Sequence, residues 1–191
     1  MLSRFFVSAW WLLVCVFCAV LFAAAAADDS VGTRVAVSRS KQVFTVEAAS
    51  RVVAGRDEAW SVLTNYGGYV DFVPGMTLSR QVSDRPLLIE QHGEFGVLFF
   101  TKKVNATLKV TETPPSKIFF RSLDGNLRTL ETTVDILVDG DQVVIKYDAV
   151  IEPDFWVPPL IGKPIVRVAI RKKLDAVANE IGWQAEFGAH Q

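Results

Sequence analysis

Apolar and polar residues alternate over most of this chain, and the alternation starts abruptly. From Gln42, residues Phe44, Val46, Ala48 and Val52 fall on one side and Thr45, Glu47 and Arg51 on the other, which predicts a half-buried strand. Gly55-Arg56-Asp57 interrupts it, and Asp57 is placed to cap a helix carrying Trp60 and Leu63 on one side. Asn65-Tyr66-Gly67-Gly68 ends that helix. A second apolar piece, Tyr69 to Val73, stops at Pro74-Gly75, so the pair predicts a short broken helical hairpin.

From Met76 onward the pattern is almost continuous strand. Turn residues recur at near-regular spacing in Asp84-Arg85-Pro86, Gly96, Pro114-Pro115, Asp124-Gly125-Asn126 and Asp139-Gly140-Asp141. Leu98, Phe100, Val104, Ala106, Leu108 and Val110 share one face, with Thr101, Lys103, Asn105, Thr107 and Lys109 opposite. Leu130, Val134, Ile136 and Val138 alternate with Glu131, Thr133 and Asp135, and Val143, Ile145, Tyr147, Ala149 and Ile151 alternate with Lys146 and Asp148. Short connections of this kind favour an antiparallel meander.

The period changes after Pro153. Beyond Pro164, Val166, Ile170, Leu174, Val177 and Ile181 recur at helical spacing, with Pro164 suited to the first turn. A helix with one apolar stripe must lay it on something, and a curved sheet offers the large apolar surface available. The expectation is an α+β fold in which a curved antiparallel sheet of about seven strands wraps a long C-terminal helix, with two short helices after the first strand.

The N-terminus follows another grammar. Arg4 precedes an apolar run of about 23 residues, and Ala25-Ala26-Ala27 precedes Asp28-Asp29, as in a signal peptide cut at the Ala27-Asp28 bond. Uncleaved, a run of that length would anchor the protein in a membrane. Residues 1–27 are thus read as signal peptide, 28–40 as a polar linker and 41–187 as the folded domain, exported and periplasmic. Cys15 and Cys18 both lie in the apolar run, which leaves a cleaved product no thiol chemistry. Charge is balanced, 20 Lys and Arg against 21 Asp and Glu, so nothing marks a nucleic-acid partner.

The order of elements, together with four local runs, resembles the START-like (SRPBCC, helix-grip) superfamily, and within it the polyketide cyclase and coenzyme-Q-binding branch. The runs are Ala59-Trp60-Ser61-Val62-Leu63-Thr64-Asn65-Tyr66, Phe72-Val73-Pro74-Gly75, Gly125-Asn126-Leu127-Arg128, and Pro153-Asp154-Phe155-Trp156-Val157-Pro158-Pro159. The resemblance covers roughly Gln42 to Gln184. It implies a helix-grip domain with a cavity between sheet and helix that binds lipids, quinones, sterols or polyketides, usually without catalytic apparatus. The family shares a shape and no fixed set of ligand-contacting residues.

Candidate chemistry is sparse. Of the two histidines, His190 is one residue from the end of the sequence and His92 lies in a strand between Glu90 and Glu94, so neither a His-based metal site nor a zinc site is expected. The glycines match no nucleotide fingerprint, and no cofactor is expected. His92 can move a proton near neutral pH, but Leu87, Ile89 and Phe95 make the better inward set, which puts His92 on the solvent side. Tyr147, on an inward face, is the other proton-moving candidate; neither residue makes a convincing catalytic set. Lys102 interrupts an apolar face and must reach a rim, a carboxylate or a ligand's polar head. Arg121 sits among aromatics.

The ligand-facing residues expected are Trp60, Phe72, Phe95, Phe100, Lys102, Phe120, Tyr147, Phe155 and Trp156, with Trp60, Phe72 and Trp156 near the mouth. An empty void of about 300 Å³ would cost on the order of 7 kcal/mol, so such a cavity should be wet, collapsible or occupied. The expectation is a non-catalytic carrier of an apolar small molecule, with transient membrane contact left open and no protein partner identified. The rivals are a cyclase or aromatase-type enzyme using the same cavity and an envelope interaction module.

Overall fold

Crossing the sheet from one edge to the other is the problem this chain solves first. The computed structural model describes residues 32–97 and 100–188, without the side chains of Phe95, Val97 and Phe100; the expected signal peptide, 1–27, lies outside the described residues, as does Leu98. Strands β1 (Thr33–Ser40) and β2 (Val43–Val53) form a hairpin, with Lys41 at a φ of 56° in its turn. Helix α1 (Arg56–Thr64), a 3-10 turn (Tyr66–Gly68) and helix α2 (Tyr69–Phe72) then carry the chain to the far edge.

There the meander begins: β3 (Met76–Asp84), β4 (Leu87–Val97), β5 (Phe100–Thr113), β6 (Lys117–Gly125), β7 (Leu127–Asp139) and β8 (Gln142–Pro153). β8 closes against β2, giving one antiparallel sheet of eight strands in the order β1-β2-β8-β7-β6-β5-β4-β3. The last element is helix α3 (Pro159–Phe187), whose 29 residues reach about 43 Å at the usual rise. Among the described residues no helix is long and apolar enough to cross a membrane.

The eighth strand is a correction. Residues 28–40 read as linker because Arg34, Ser38 and Arg39 mask the alternation, yet Thr33–Ser40 is β1, with Val37 buried at an inward position. An edge strand with one wet face carries little apolar signal. Two smaller differences concern helix ends. Gly55, in extended conformation, is the N-cap of α1, and Asp57 stands in the first turn, where its charge favours the positive end of the helix. α3 opens at Pro159, so Pro164 lies within the helix rather than in its first turn and removes one backbone donor there.

The core lies between the inner sheet face and α3. Phe44, Val46, Ile89, Ile118, Ile136, Val143 and Ile145 from the strands are buried with Val166, Ile170, Leu174, Val177 and Ile181 from the helix. β1 also fixes the start of α3. The Arg39 guanidinium donates from Nη1 to the Pro158 carbonyl at 3.0 Å and from Nη2 to the Val157 carbonyl at 2.8 Å, while Nε donates to the Lys41 carbonyl at 2.6 Å. Its carbon sits 4.9 Å from the centre of the Phe44 ring.

One turn into the helix, Gly162 makes the closest approach. A Cβ there would lie 2.6 Å from Arg39 Nη1 and 3.1 Å from Phe44 Cζ. Near the other end a Cβ on Gly182 would touch Val52 Cγ2 at 3.5 Å. The helix therefore tracks β2 along its length. Since hydrogen bonds from a charged donor contribute about 1.5–3 kcal/mol each, Arg39→Ala should lower stability by about 2–4 kcal/mol in urea unfolding. Arg34→Ala, on the wet face of the same strand, should change it by less than about 0.5 kcal/mol; equal effects would remove the clamp.

Candidate functional site

Because α3 follows β2, it stands off the opposite flank of the concave sheet, and the space between them is a cavity of about 370 Å³. β5 supplies Val104, Ala106 and Leu108, β7 supplies Leu127 and Leu130, and β8 supplies Tyr147, Ile151 and Pro153. The helix contributes a roof of Val166, Val168, Ala169, Ile170, Lys172 and Lys173. Exposed Pro74, Gly75, Glu94, Val168 and Lys172 border it, so its mouth lies between the turn before β3 and the middle of the helix.

Backbone geometry builds that mouth. Gly75 has a φ of 81°, and its carbonyl accepts the Glu94 N–H at 2.8 Å. A Cβ at Gly75 would lie 2.5 Å from the Glu94 carbonyl oxygen, and one at Gly93 would lie 2.8 Å from that of Gly75. Only glycines allow the two main chains to meet so closely. The Gly125-Asn126 run has a similar structural role. Asn126 Nδ2 donates to the Lys103 carbonyl at 2.8 Å, and the Asn105 N–H donates to Asn126 Oδ1 at 3.0 Å.

Deeper in, a second chamber of about 50 Å³ is walled by Leu63, Tyr69, Phe120, Val134, Ile145 and Val177, among others. Gln91, Leu108, Leu130, Tyr147 and Lys173 line both chambers and form the waist between them. The waist is where the polar atoms gather. Gln91 Nε2 donates to Ser79 Oγ at 3.1 Å, and that hydroxyl donates to the Tyr66 carbonyl at 2.6 Å. Lys173 Nζ lies 6.0 Å from the centre of the Tyr147 ring. Thr132 Oγ1, in the inner chamber, is buried without a hydrogen-bond partner.

Burial sets the electrostatics here. Desolvation raises the Tyr147 hydroxyl above the usual phenol range, with the nearby Thr132 hydroxyl pulling it back, although the two form no hydrogen bond of normal geometry. Desolvation also holds the Lys173 amine below the usual lysine range. Next to the site, burial and the bond to Glu112 Oε1 at 2.6 Å push Tyr66 up. Burial, with a smaller contribution from Tyr147, pushes up Tyr69, which donates to the Leu63 carbonyl at 2.7 Å.

The residues expected from the sequence divide by position. Tyr147 stands at the waist, and Phe120 lines the inner chamber while meeting the Tyr66 ring edge-on at 6.2 Å. Trp60 and Phe72 pack half-buried against the core, Phe72 edge-on to Tyr69 at 5.5 Å; neither lines the cavity. Trp156 is 66% exposed and is displaced from the mouth, which opens at Pro74 and Gly75 instead. Phe155 is half-buried outside the lining, and Lys102 is exposed, also outside the lining, with Nζ 5.8 Å from the Phe155 ring centre. The side chains of Phe95 and Phe100 lie outside the described set.

His92 borders the cavity, yet Nε2 pairs with Glu90 Oε1 at 3.0 Å, and Glu90 also accepts Arg80 Nη2 at 2.6 Å. The bond to Arg80, and after it His92, keeps the Glu90 carboxyl below the usual range against the opposing pull of desolvation. Arg121 points outward to Glu131 at 3.0 Å. Lys173, Gln91 and Thr132 escaped the sequence reading. Each is a polar residue at an inward position of a strand or helix that otherwise reads apolar, and that mismatch is the signal that finds them.

Residues 52–178 match the family described as polyketide cyclase / dehydrase and lipid transport. No curated protein sequence matches the chain. Among solved structures, a STAR-related lipid transfer protein from Xanthomonas axonopodis aligns with a TM-score of 0.62 at 14% identity, covering 81% of this chain and 96% of that one. A START superfamily protein from Mycobacterium smegmatis aligns at 0.57 and 17% identity, covering 74% and 97%. The Zhui aromatase/cyclase from Streptomyces sp. R1128 aligns at 0.57 and 16%, covering 78% and 96%. At these identities the likeness is one of fold.

The depressed amine has a measurable consequence. Lys173 holds its proton less firmly folded than unfolded, so between its lowered native value and the ordinary 10.5 unfolding takes up a proton and stability rises with pH. Below that window the cost of burying the charge is present in full. Lys173→Met should flatten this part of the stability profile relative to the parent, as read by chemical denaturation at stepped pH; identical slopes would contradict the placement.

Proposed function

Because the chain belongs to the polyketide cyclase / dehydrase and lipid transport family of the START-like superfamily, we propose that it is a carrier that shelters an apolar small molecule between sheet and helix and catalyses nothing. The observation that carries this reading is the 370 Å³ cavity itself. Left dry and rigid, it would cost on the order of 9 kcal/mol at about 24 cal/mol per Å³, most of a domain's stability. Filling it reverses the sign. About 300 Å² of acyl, isoprenoid or polyketide surface contributes roughly 7 kcal/mol at about 25 cal/mol per Å² before association costs.

The polar residues favour holding over turnover. His92 is committed to Glu90 at the edge of the mouth, and a phenol raised by burial, as Tyr147 is, makes a poor proton shuttle near neutrality. The Arg4-led apolar run and its alanine tract support export to the periplasm, where a molecule insoluble in water needs a shelter between membranes.

Ala169 in the roof offers a direct test, since a larger side chain there points into the void. Ala169→Trp should weaken binding of a neutral apolar fluorophore at least about tenfold with little change in melting temperature, a loss of about 1.4 kcal/mol or more. Undiminished binding in a folded variant would place the guest elsewhere.

A second reading concerns how the guest is exchanged. Trp156 and Leu160, 66% and 92% exposed, stand together at the start of α3 and support brief contact with a bilayer surface. In co-sedimentation with phosphatidylcholine vesicles, the Trp156→Ala, Leu160→Ser double variant should bind less than the parent. Equal sedimentation would count against the contact.

A further inference from the structure

The waist between the two chambers holds a feature that apolar binding alone does not use. We propose that the guest enters head first, and that its head is a carboxylate seated at the waist against Lys173, Tyr147 and Thr132, with the tail running back to the mouth. This rests on the cavity being a binding site, and specifies what is bound there.

A lysine ammonium offers N–H donors and no acceptor, and among the described residues no carboxylate lies within ion-pairing distance of Lys173. Its Nζ lies instead 6.0 Å from the centre of the Tyr147 ring, a weak substitute for a counter-ion. Across the waist the Tyr147 hydroxyl can donate. Thr132 Oγ1 is buried with no hydrogen-bond partner, an arrangement that costs free energy until something accepts from it.

Two donors at the constriction and a third just inside it, with Leu108 and Leu130 around them, suit an acceptor that carries charge. A neutral alcohol or ester would leave the ammonium uncompensated. The direction of entry follows from volume: the inner chamber of about 50 Å³ has room for a water or two or a small head, whereas the outer chamber of about 370 Å³ accepts a chain. The desolvated amine is consistent with this, because an incoming carboxylate restores its charged form.

The test compares ligands with the same tail. Dodecanoic acid, dodecanol and methyl dodecanoate are each titrated against the purified protein holding a neutral apolar fluorophore. The acid should displace the probe at roughly one-tenth the concentration that either neutral analogue needs, the ratio expected for one added charge-assisted bond. Lys173→Met should bring the acid level with the alcohol, and Lys173→Arg should retain the preference. Thr132→Val, close in shape, should reduce it in part and serves as the check if the Lys173 variants fold poorly. Equal displacement by acid and alcohol, or an acid preference that survives Lys173→Met, would overturn the proposal while the apolar carrier stands. A protein that binds neither the probe nor any of the three compounds would bring down both.

Discussion

The fork of hydrogen bonds from Arg39 to the carbonyls of Val157 and Pro158 decides where the long helix begins, and much of the molecule follows from that. With Gly162 pressed against Arg39 and Phe44, and Gly182 lying on Val52, α3 is committed to the β2 side of the sheet. A helix about 10 Å across cannot also cover the far flank of an eight-stranded sheet. The space over β5 and β7 is therefore left by placement, and the side chains around it are too small or too short to close it: Ala106 below and Ala169 above. Hollow and clamp are two results of one docking geometry.

What occupies the walls then matters more than their shape. Most of the lining is aliphatic and treats all greasy molecules alike, since burial of apolar area is non-directional. Discrimination requires a polar atom with an unmet need, and this interior concentrates such atoms at the constriction where Tyr147 and Lys173 meet. Among the described residues, other buried polar groups are satisfied: Ser79 and Tyr69 by main-chain carbonyls, and Tyr66 by Glu112. The contrast separates groups that hold the fold together from groups available to a guest.

Most of the architecture was legible in the sequence because it rests on period. The alternation along β5, β7 and β8 and the stripe from Val166 to Ile181 each identify an element and its inward face. β1 was not legible, because an edge strand needs few apolar residues and its decisive side chain, Arg39, looks like any surface arginine. The site was less legible than the fold. Aromatic residues drew attention through size, and Trp60, Phe72 and Trp156 turned out to pack or protrude instead of lining the space. Gln91, Thr132 and Lys173 matter through register, which a single strand or helix does not reveal until its neighbours are fixed. Tyr147 was found because alternation alone placed it inward.

The contact of Gly75 with Glu94 and Gly93 has an implication for how such a binding protein can diversify. One jamb of the doorway is bare main chain, fixed by a hydrogen bond and a steric limit that substitution cannot relax. The opposite jamb is a row of helical side chains at Val168, Ala169 and Lys172, free of that main-chain limit. Descendants of this chain can change the guest they admit by altering the helix alone, keeping a main-chain threshold against which each new lintel is gauged.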